Sequence, residues 1–586
     1  MKLVFDIETN GFLDVMNKIF CLEIYDIENA KTYSFMDGQI EEGINLLQEA
    51  DLIIGHNILG FDIPAINKCF PLAKFKNTFD TLVATRLIWA DIKQEDFRRK
   101  DFPSNLIGRH SLASWGYRVG LLKGDFGETT DWSEWSQEMQ SYCKRDVEVT
   151  VALYKKILGQ KYSETSLQLE HEFAECIIKQ EQLGFCFDTK KAKELYTELN
   201  AKRVQLQDQL QNTFPPWKKV VGVLVPKRDN KTKGYKKGVP VDKIKEIVFN
   251  AGSRDHIADR LKAIKGWKPK EFTNDGKPKV DEKVLSSLEY PEAKLLSEYL
   301  LIQKRLGMLG EGDNAWLKLE RKGKIFGKVI TNGTVTGRCT HFSPNVAQVC
   351  SSSAKYGVEC RSLFTVPDDY LLVGADASGL ELRCLASYMS KFDKGAYAKE
   401  LLTGDIHTAN QKASGLPTRP QAKTFIYAFL YGAGDKRIGE IVKGSAKDGK
   451  LLKQTFLKRT PALKKLRDRV SQVYRARGFL VGLDGRKLLI RSEHSALNTL
   501  LQSCGSIIVK KATTLLHKNL SHLKHGEDWG MVAHIHDEIQ LQVKKELAEE
   551  VGKIAVQSIR ETKSHFNFHC ELDGEYKIGA NWSETH

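Results

Sequence analysis

Two periodicities divide this chain of 586 residues. In Leu3-Val4-Phe5-Asp6-Ile7-Glu8 apolar positions alternate with polar ones, so a strand here sends Leu3, Phe5 and Ile7 to one face and Asp6 and Glu8 to the other. Similar runs at 19–25 and 52–55 are separated by helical patterns, and together they predict an α/β domain up to about residue 155. Helical spacing then takes over. The pattern over 166–183 stops at Gly184, a good helix terminator, and a second helix follows Asp188 as its N-cap. Mixed patterning returns after residue 320, with strands expected at 370–375 and at 531–543 on either side of a largely helical insert over 400–480. No internal repeat or low-complexity tract interrupts the chain.

Composition narrows the class. The formal net charge is +15, with a pI near 9.0, and so large a cationic excess points to a polyanionic partner, nucleic acid first. Much of it gathers in residues 217–245, a Gly-, Pro- and Lys-rich stretch expected to be a basic loop. No apolar run approaches the roughly 18 to 20 residues of a spanning helix, which sets a membrane aside. The eleven cysteines are dispersed and form no Cys-x-x-Cys pair, so neither a disulfide framework nor a zinc site is expected, and a reducing cytoplasm fits. Asp6 stands where a signal peptide would need apolar residues.

Several clusters carry candidate chemistry. Asp6 and Glu8 share one strand face, where their repulsion is relieved by a hard divalent cation. Asp376 falls where an apolar strand ends, with Glu381 five residues on, and Asp537 with Glu538 sits at a tight turn between two strands. Between them, 418–432 reads as a helix with Pro420 near its start and Gly432 at its end. Arg419, Lys423, Tyr427 and Tyr431 recur every fourth position along it, so one face is cationic first and aromatic after. A helix N-terminus adds partial positive charge, completing a cradle for phosphates. Each cluster also has a plainer account on its own: a solvated strand face, a solvated turn, or a surface helix with two core tyrosines.

In combination the clusters are more specific. Asp6-Ile7-Glu8, Asn57-Ile58-Leu59-Gly60-Phe61-Asp62 and Tyr142-Cys143-Lys144-Arg145-Asp146 resemble the three motifs of DEDD-type 3′→5′ exonucleases in their tyrosine variant. The resemblance implies a ribonuclease H-like domain in which Asp6, Glu8, Asp62 and Asp146 bind two divalent metals and Tyr142 orients the attacking water. The segments around Asp376, over 418–432 and around Asp537 resemble motifs A, B and C of family A (DNA polymerase I-type) polymerases. Their wording is nearest to the replicative polymerases of T-seven-type short-tailed bacteriophages. Gly404-Asp405-Ile406-His407-Thr408, Arg109-His110-Ser111-Leu112, Thr334-Val335-Thr336-Gly337-Arg338, Leu483-Asp484-Gly485-Arg486 and Leu497-Asn498-Thr499-Leu500-Leu501-Gln502 agree, so the resemblance covers almost the whole chain.

That resemblance implies a template- and primer-dependent polymerase using dNTPs and two Mg²⁺, with Mn²⁺ as a substitute, held by Asp376, the neighbouring Ala377, and Asp537. Arg419, Lys423 and His407 would contact the triphosphate, and Lys423 would also protonate the leaving pyrophosphate. Tyr427 would stack near the new base and sugar, Glu381 would close off the ribose 2′ position, and Tyr431 would pack at the template base. Arg338, Asn498 and Gln502 would touch primer or template in the minor groove, and His536 counts among the substrate-binding residues. Two departures stand out. Ile426-Tyr427-Ala428 replaces the bacterial Asn-Phe-Gly, which by resemblance implies weak discrimination against dideoxynucleotides. The basic stretch 217–245 stands where the phage relatives carry a longer thioredoxin-recruiting insertion, so thioredoxin is not expected as a partner.

The expected organisation is multi-domain α/β and α+β: an exonuclease domain over 1–158, then a right-hand polymerase with thumb over 159–320, palm over 321–400 and 486–586, and fingers over 401–485. The resemblance further implies phage genome replication in a bacterial cytoplasm, as a monomer, with a helicase-primase and a single-strand-binding protein as possible partners. A nuclease whose second half only binds DNA, and a non-catalytic DNA-binding scaffold, are the rival readings. The matched acids and cations at Asp376, Asp537, Arg419 and Lys423 speak against both.

Overall fold

A computed structural model describes residues 1–122 and 133–586. The chain forms two compact units, one of residues 1–185, 326–352 and 365–586, the other of residues 186–325 and 353–364.

The first unit holds two larger sheets beside two two-stranded ones. Its amino-terminal sheet has five strands in the order Lys31–Met36, Ile19–Asp26, Lys2–Thr9, Leu52–Gly55 and Thr78–Asp80. The first three are antiparallel and the last two join in parallel, through longer connections that carry a helix. The predicted alternation holds in the central strand, where Leu3, Phe5 and Ile7 are buried and Asp6 and Glu8 remain partly exposed. Helix Gln137–Leu158 packs on that sheet and carries the third acidic motif.

The second sheet is antiparallel, in the order Trp529–Ile535, Glu538–Lys544, Tyr370–Ala377 and Gly574–Gly579. Helices Ala496–Asn519 and Ala548–Glu561 pack with it. The insert between the sheet's first strand and its hairpin is helical, as expected, and includes Arg419–Leu430, Ala446–Arg459 and Pro461–Arg477.

Helix Glu164–Leu183 belongs to this first unit. Its Phe173, Cys176 and Ile177 share a core with Val373, Leu516, Met531 and Leu541 of the second sheet and its helix. On the amino-terminal side, the Asp80 amide donates to His171 Nε2 at 2.9 Å, and the other ring nitrogen lies 2.7 Å from the Leu167 carbonyl oxygen. Beside these contacts lies a buried ionic cluster: Glu170 Oε1 meets Lys510 Nζ at 2.6 Å and Arg486 Nη2 at 2.8 Å, and Arg486 also grips Asp484. All four side chains are almost completely shielded from water, so each charge depends on its partners.

In the second unit, residues 217–245 are not the irregular loop that their composition suggested. Trp217–Leu224 and Val241–Ile247 pair as an antiparallel ribbon, because Val220, Val221, Val223 and Ile244 supply β-branched residues between the lysines. Its base is fixed by Arg260 stacked 3.9 Å from the centre of the Trp217 ring and by a 2.8 Å ion pair between Lys219 and Asp259.

Glu170→Gln leaves the Lys510 ammonium buried without its anion. Chemical denaturation of the full chain is expected to show a loss of about 3 to 5 kcal/mol, the usual consequence of breaking one side of a buried ion pair.

Candidate functional site

The acids of the second sheet converge through strand pairing. Asp376 ends the strand Tyr370–Ala377 opposite Glu538, and the Ala377 amide donates to the Asp537 carbonyl oxygen at 3.2 Å. The turn between the two hairpin strands is His536-Asp537, so Glu538 lies in the strand and not in the turn. His536 has φ of +57°, a left-handed conformation that is uncommon for a residue with a side chain and that tightens the turn carrying Asp537.

Electrostatics mark the same place. The Asp376 carboxyl is pushed up to about 7 by burial and by the negative charges of Asp537 and Glu538. Asp537 is raised too, by burial and by Glu381. Burial works against ionisation of Glu538 as well, yet hydrogen bonds hold its carboxyl below the usual range. They come from Trp582 Nε1 at 2.5 Å, Gln540 Nε2 at 2.7 Å and His586 Nδ1 at 2.8 Å. Glu538 is thus tied into the protein, whereas at Asp376 and Asp537 burial and acidic neighbours outweigh the compensation from His586, Arg338 and the backbone. A divalent cation fits that pair, because it supplies the charge that the carboxylates lack.

Several expected substrate residues gather here. Arg338, Glu381, Gln502, His536 and Asp537 line one recess. The Tyr431 phenol donates to Glu381 at 2.5 Å, and Gln502 Nε2 donates to Asn498 Oδ1 at 2.8 Å. Helix Arg419–Leu430 starts as predicted, with Thr418 as N-cap and a proline in its first turn, and Gly432 follows it with φ of +73°. Arg419 is held by both oxygens of Asp405, at 2.7 and 3.1 Å. Lys423 is exposed one turn on, and His407, its basicity lowered by burial and by Arg419 and Lys423, lies 6.3 Å from the Tyr427 ring.

The amino-terminal acids line a separate cavity of about 790 Å³ that brings together Asp6, Glu8, Asp62, Tyr142 and Asp146. Asp62 begins helix Asp62–Cys69 and is pushed up to about 7 by burial and by Asp80 and Asp146. Donor atoms of Asp6, Glu8 and Cys143 lie within 4.8 Å of one another, the one such grouping of three among the described residues. The four expected acids therefore share one cavity, with a thiol beside the first two.

Sequence reasoning gave no role to several residues of these sites. Asp80 caps helix Thr81–Ile88 through the Leu82 amide at 2.8 Å and takes the Asn57 and Leu59 amides at 2.9 and 3.1 Å, fixing the loop that precedes Asp62. An Asp-Thr pair at a helix start was its only local signal. Glu538's ties to Trp582 and His586 join distant segments and have no local signature. Cys143 and Asp405 lie inside the recognised motifs but were given no role.

A strand-borne acid cluster lies on the mixed five-stranded sheet, and a second acid pair lies at the antiparallel sheet with a cationic helix nearby, an arrangement suited to binding phosphate through divalent cations at two places. Residues 235–584 match the DNA polymerase family A description, and residues 3–158 match the RNase H superfamily. The DNA-directed DNA polymerases of Enterobacteria phage T3 and Escherichia phage T7 are each 38% identical over 708 aligned positions, covering 100% of this chain and of each relative. DNA polymerase I of Aquifex aeolicus (strain VF5) is 25% identical, covering 99% of this chain and 96% of its own length. Among solved structures, the POL domain of Pol1 from M. smegmatis in complex with DNA primer-template and dNTP has a TM-score of 0.73 at 15% identity, covering 100% of this chain and 96% of that one. The chain belongs to DNA polymerase family A: it is a DNA-directed DNA polymerase that carries an RNase H-like exonuclease-type domain ahead of its polymerase domain.

With Asp62 and Asp376 both near 7, protons compete with cations for the two acid clusters below that pH. Titration of the full-length protein with Mg²⁺ at pH 6.5 is expected to release protons, measured by calorimetry in two buffers of different ionisation enthalpy. Affinity is expected to weaken as pH falls, and the Asp62→Asn/Asp376→Asn protein is expected to lose most of the release.

Proposed function

We propose that the chain replicates DNA by adding dNTPs to a primer 3′ end at Asp376 and Asp537 and edits its product at Asp6, Glu8, Asp62 and Asp146. The observation that carries this reading is the meeting of Asp376 and Asp537 across paired strands, with the Asp376 carboxyl lifted to about 7 by burial and its acidic neighbours. In the proposed organisation, 1–158 is the exonuclease, 159–320 the thumb, 321–400 and 486–586 the palm, and 401–485 the fingers. Two Mg²⁺ at each centre would neutralise phosphate oxygens and lower the pKa of the attacking oxygen.

The protein's own groups do the positioning. Arg419 and Lys423 sit one turn apart at the positive end of their helix and would take the triphosphate, with His407 beside them. For Arg419 this means exchanging the Asp405 carboxylate for phosphate oxygens. Lys423 would give a proton to the departing pyrophosphate. Glu381, braced by the Tyr431 phenol, would stand against the ribose 2′ position, and Tyr427 against the new base and sugar. Arg338, Asn498 and Gln502 would hold primer or template. In the other cavity Tyr142 would align the attacking water. Two separated centres suit accurate copying, since a frayed 3′ end meets a second selection step.

The phage relatives support a role in phage genome replication, and a host cytoplasm, a helicase-primase and a single-strand-binding protein are the setting and partners we propose with it. Both alignments run over 708 positions, more than the 586 residues of this chain, so those relatives carry segments absent here. That supports independence from thioredoxin, with the basic ribbon contacting duplex DNA directly.

Primer extension with Mg²⁺ tests the division of labour. Asp6→Ala/Glu8→Ala is expected to extend primers without degrading them, and Asp537→Ala to degrade without extending. Equal loss of both activities in either protein overturns the assignment. For the ribbon, Lys218, Lys243 and Lys245 are all exposed. Changing the three to alanine is expected to flatten the slope of log K against log salt for duplex binding by about 0.9 for each phosphate that the ribbon no longer neutralises.

A further inference from the structure

Arg86 and Arg109 are two arginines that the exonuclease reading leaves unexplained, and Arg86 is the less exposed of them. It stands in the last turn of helix Thr81–Ile88 and lines the same cavity as Asp6, Glu8, Asp62, Tyr142 and Asp146. Its side chain is half-buried, and burial lowers its basicity. An arginine carries five N–H donors in a rigid fork, and donors held away from water without acceptors are costly. Among the described residues, none accepts a hydrogen bond from this guanidinium.

The two acids whose charges reach it are already engaged. Asp80 accepts the Asn57, Leu59 and Leu82 amides. Glu181 takes Lys328 Nζ at 2.9 Å and the Val329 amide at 2.7 Å. The helix end that bears Arg86 is held in place from the polymerase side, because Asn332 Nδ2 donates to the Arg86 carbonyl oxygen at 2.8 Å and Asn332 Oδ1 accepts from Arg486 at 3.3 Å. A half-buried guanidinium with no protein acceptor, in a cavity it shares with four acids and Arg109, is placed to take an anion from outside, and the planar fork matches the paired non-bridging oxygens of a phosphodiester.

We propose that Arg86 is a substrate-binding residue of the exonuclease centre that grips a backbone phosphate of the single DNA strand entering the cavity, with Asn332 as its positioning residue. This rests on the exonuclease reading of the Asp6 cluster. The acids repel the incoming polyanion, and Arg86 supplies the local attraction that brings the strand to them.

The test is steady-state hydrolysis of a single-stranded oligonucleotide by the full-length protein as a function of salt. Arg86→Ala is expected to raise KM about tenfold, the scale of one phosphate contact, with a smaller change in kcat. The slope of log kcat/KM against log salt is expected to fall by about 0.7, one single-strand phosphate. Arg86→Lys keeps the charge without the fork and is expected to restore the slope and part of KM. Extension of a matched primer stays within twofold of the wild type, which reports an intact fold. An unchanged KM and salt slope in Arg86→Ala, or a loss of hydrolysis and extension together that Arg86→Lys does not relieve, overturns the proposal. Hydrolysis that persists in Asp6→Ala/Glu8→Ala overturns the exonuclease reading instead.

Discussion

Carboxylates gathered where water is scarce repel one another, and both chemical centres of this polymerase are built on that repulsion. A fold can hold such an arrangement only by fixing the acids on rigid backbone, and every one of them sits on a regular element or at its end. Asp6 and Glu8 ride a central strand, Asp62 opens a helix, Asp146 lies within a long one, Asp376 ends a strand and Asp537 occupies a two-residue turn. Neighbouring groups then decide which acids stay available. Glu538 pairs with Asp376 across the strands but is committed to Trp582, Gln540 and His586, while burial and acidic neighbours raise Asp376 and Asp537.

The two centres are also joined by the same few elements. Ile330, Asn332 and Gly333 border the amino-terminal cavity, and Arg338, at the far end of that short turn, lines the recess beside Asp537. Between them the Ser506 hydroxyl holds the Gly337 carbonyl oxygen at 2.7 Å, and a Cβ at Gly337 would come within 2.7 Å of the buried Arg486 guanidinium, so only glycine fits. A single loop of about nine residues is therefore packed on one buried charge cluster and touches both sites, which limits how independently either can move.

How much of this was readable in the sequence depends on range. Period-two alternation at Leu3, Phe5 and Ile7 placed Asp6 and Glu8 on one face, and the four-residue repeat from Arg419 to Tyr431 placed a cationic helix head, because both are local consequences of backbone geometry. Motif resemblance then brought distant acids to common sites. The ribbon over 217–247 was hidden by its lysines and glycines, which read as loop although the interleaved valines could pair. Helix Glu164–Leu183 was seen as a helix but not as part of the first unit, since its two sets of partners, Asp80 on one side and Lys510 with Arg486 on the other, lie far away in sequence. Arg86 was missed for the same reason: its meaning comes from the acceptors that surround it, not from its neighbours in the chain.

That helix has a consequence for modularity. His171 reaches back to the nuclease sheet, Glu170 holds the cations of the polymerase, and Phe173 fills the polymerase core, all within one turn. No clean seam separates an editing module from a copying one. A descendant that discarded proofreading would have to keep this helix to shelter Lys510 and Arg486, and would then bare the flank that His171 had covered. Loss of the nuclease is therefore easier by eroding its acids one at a time than by deleting the domain.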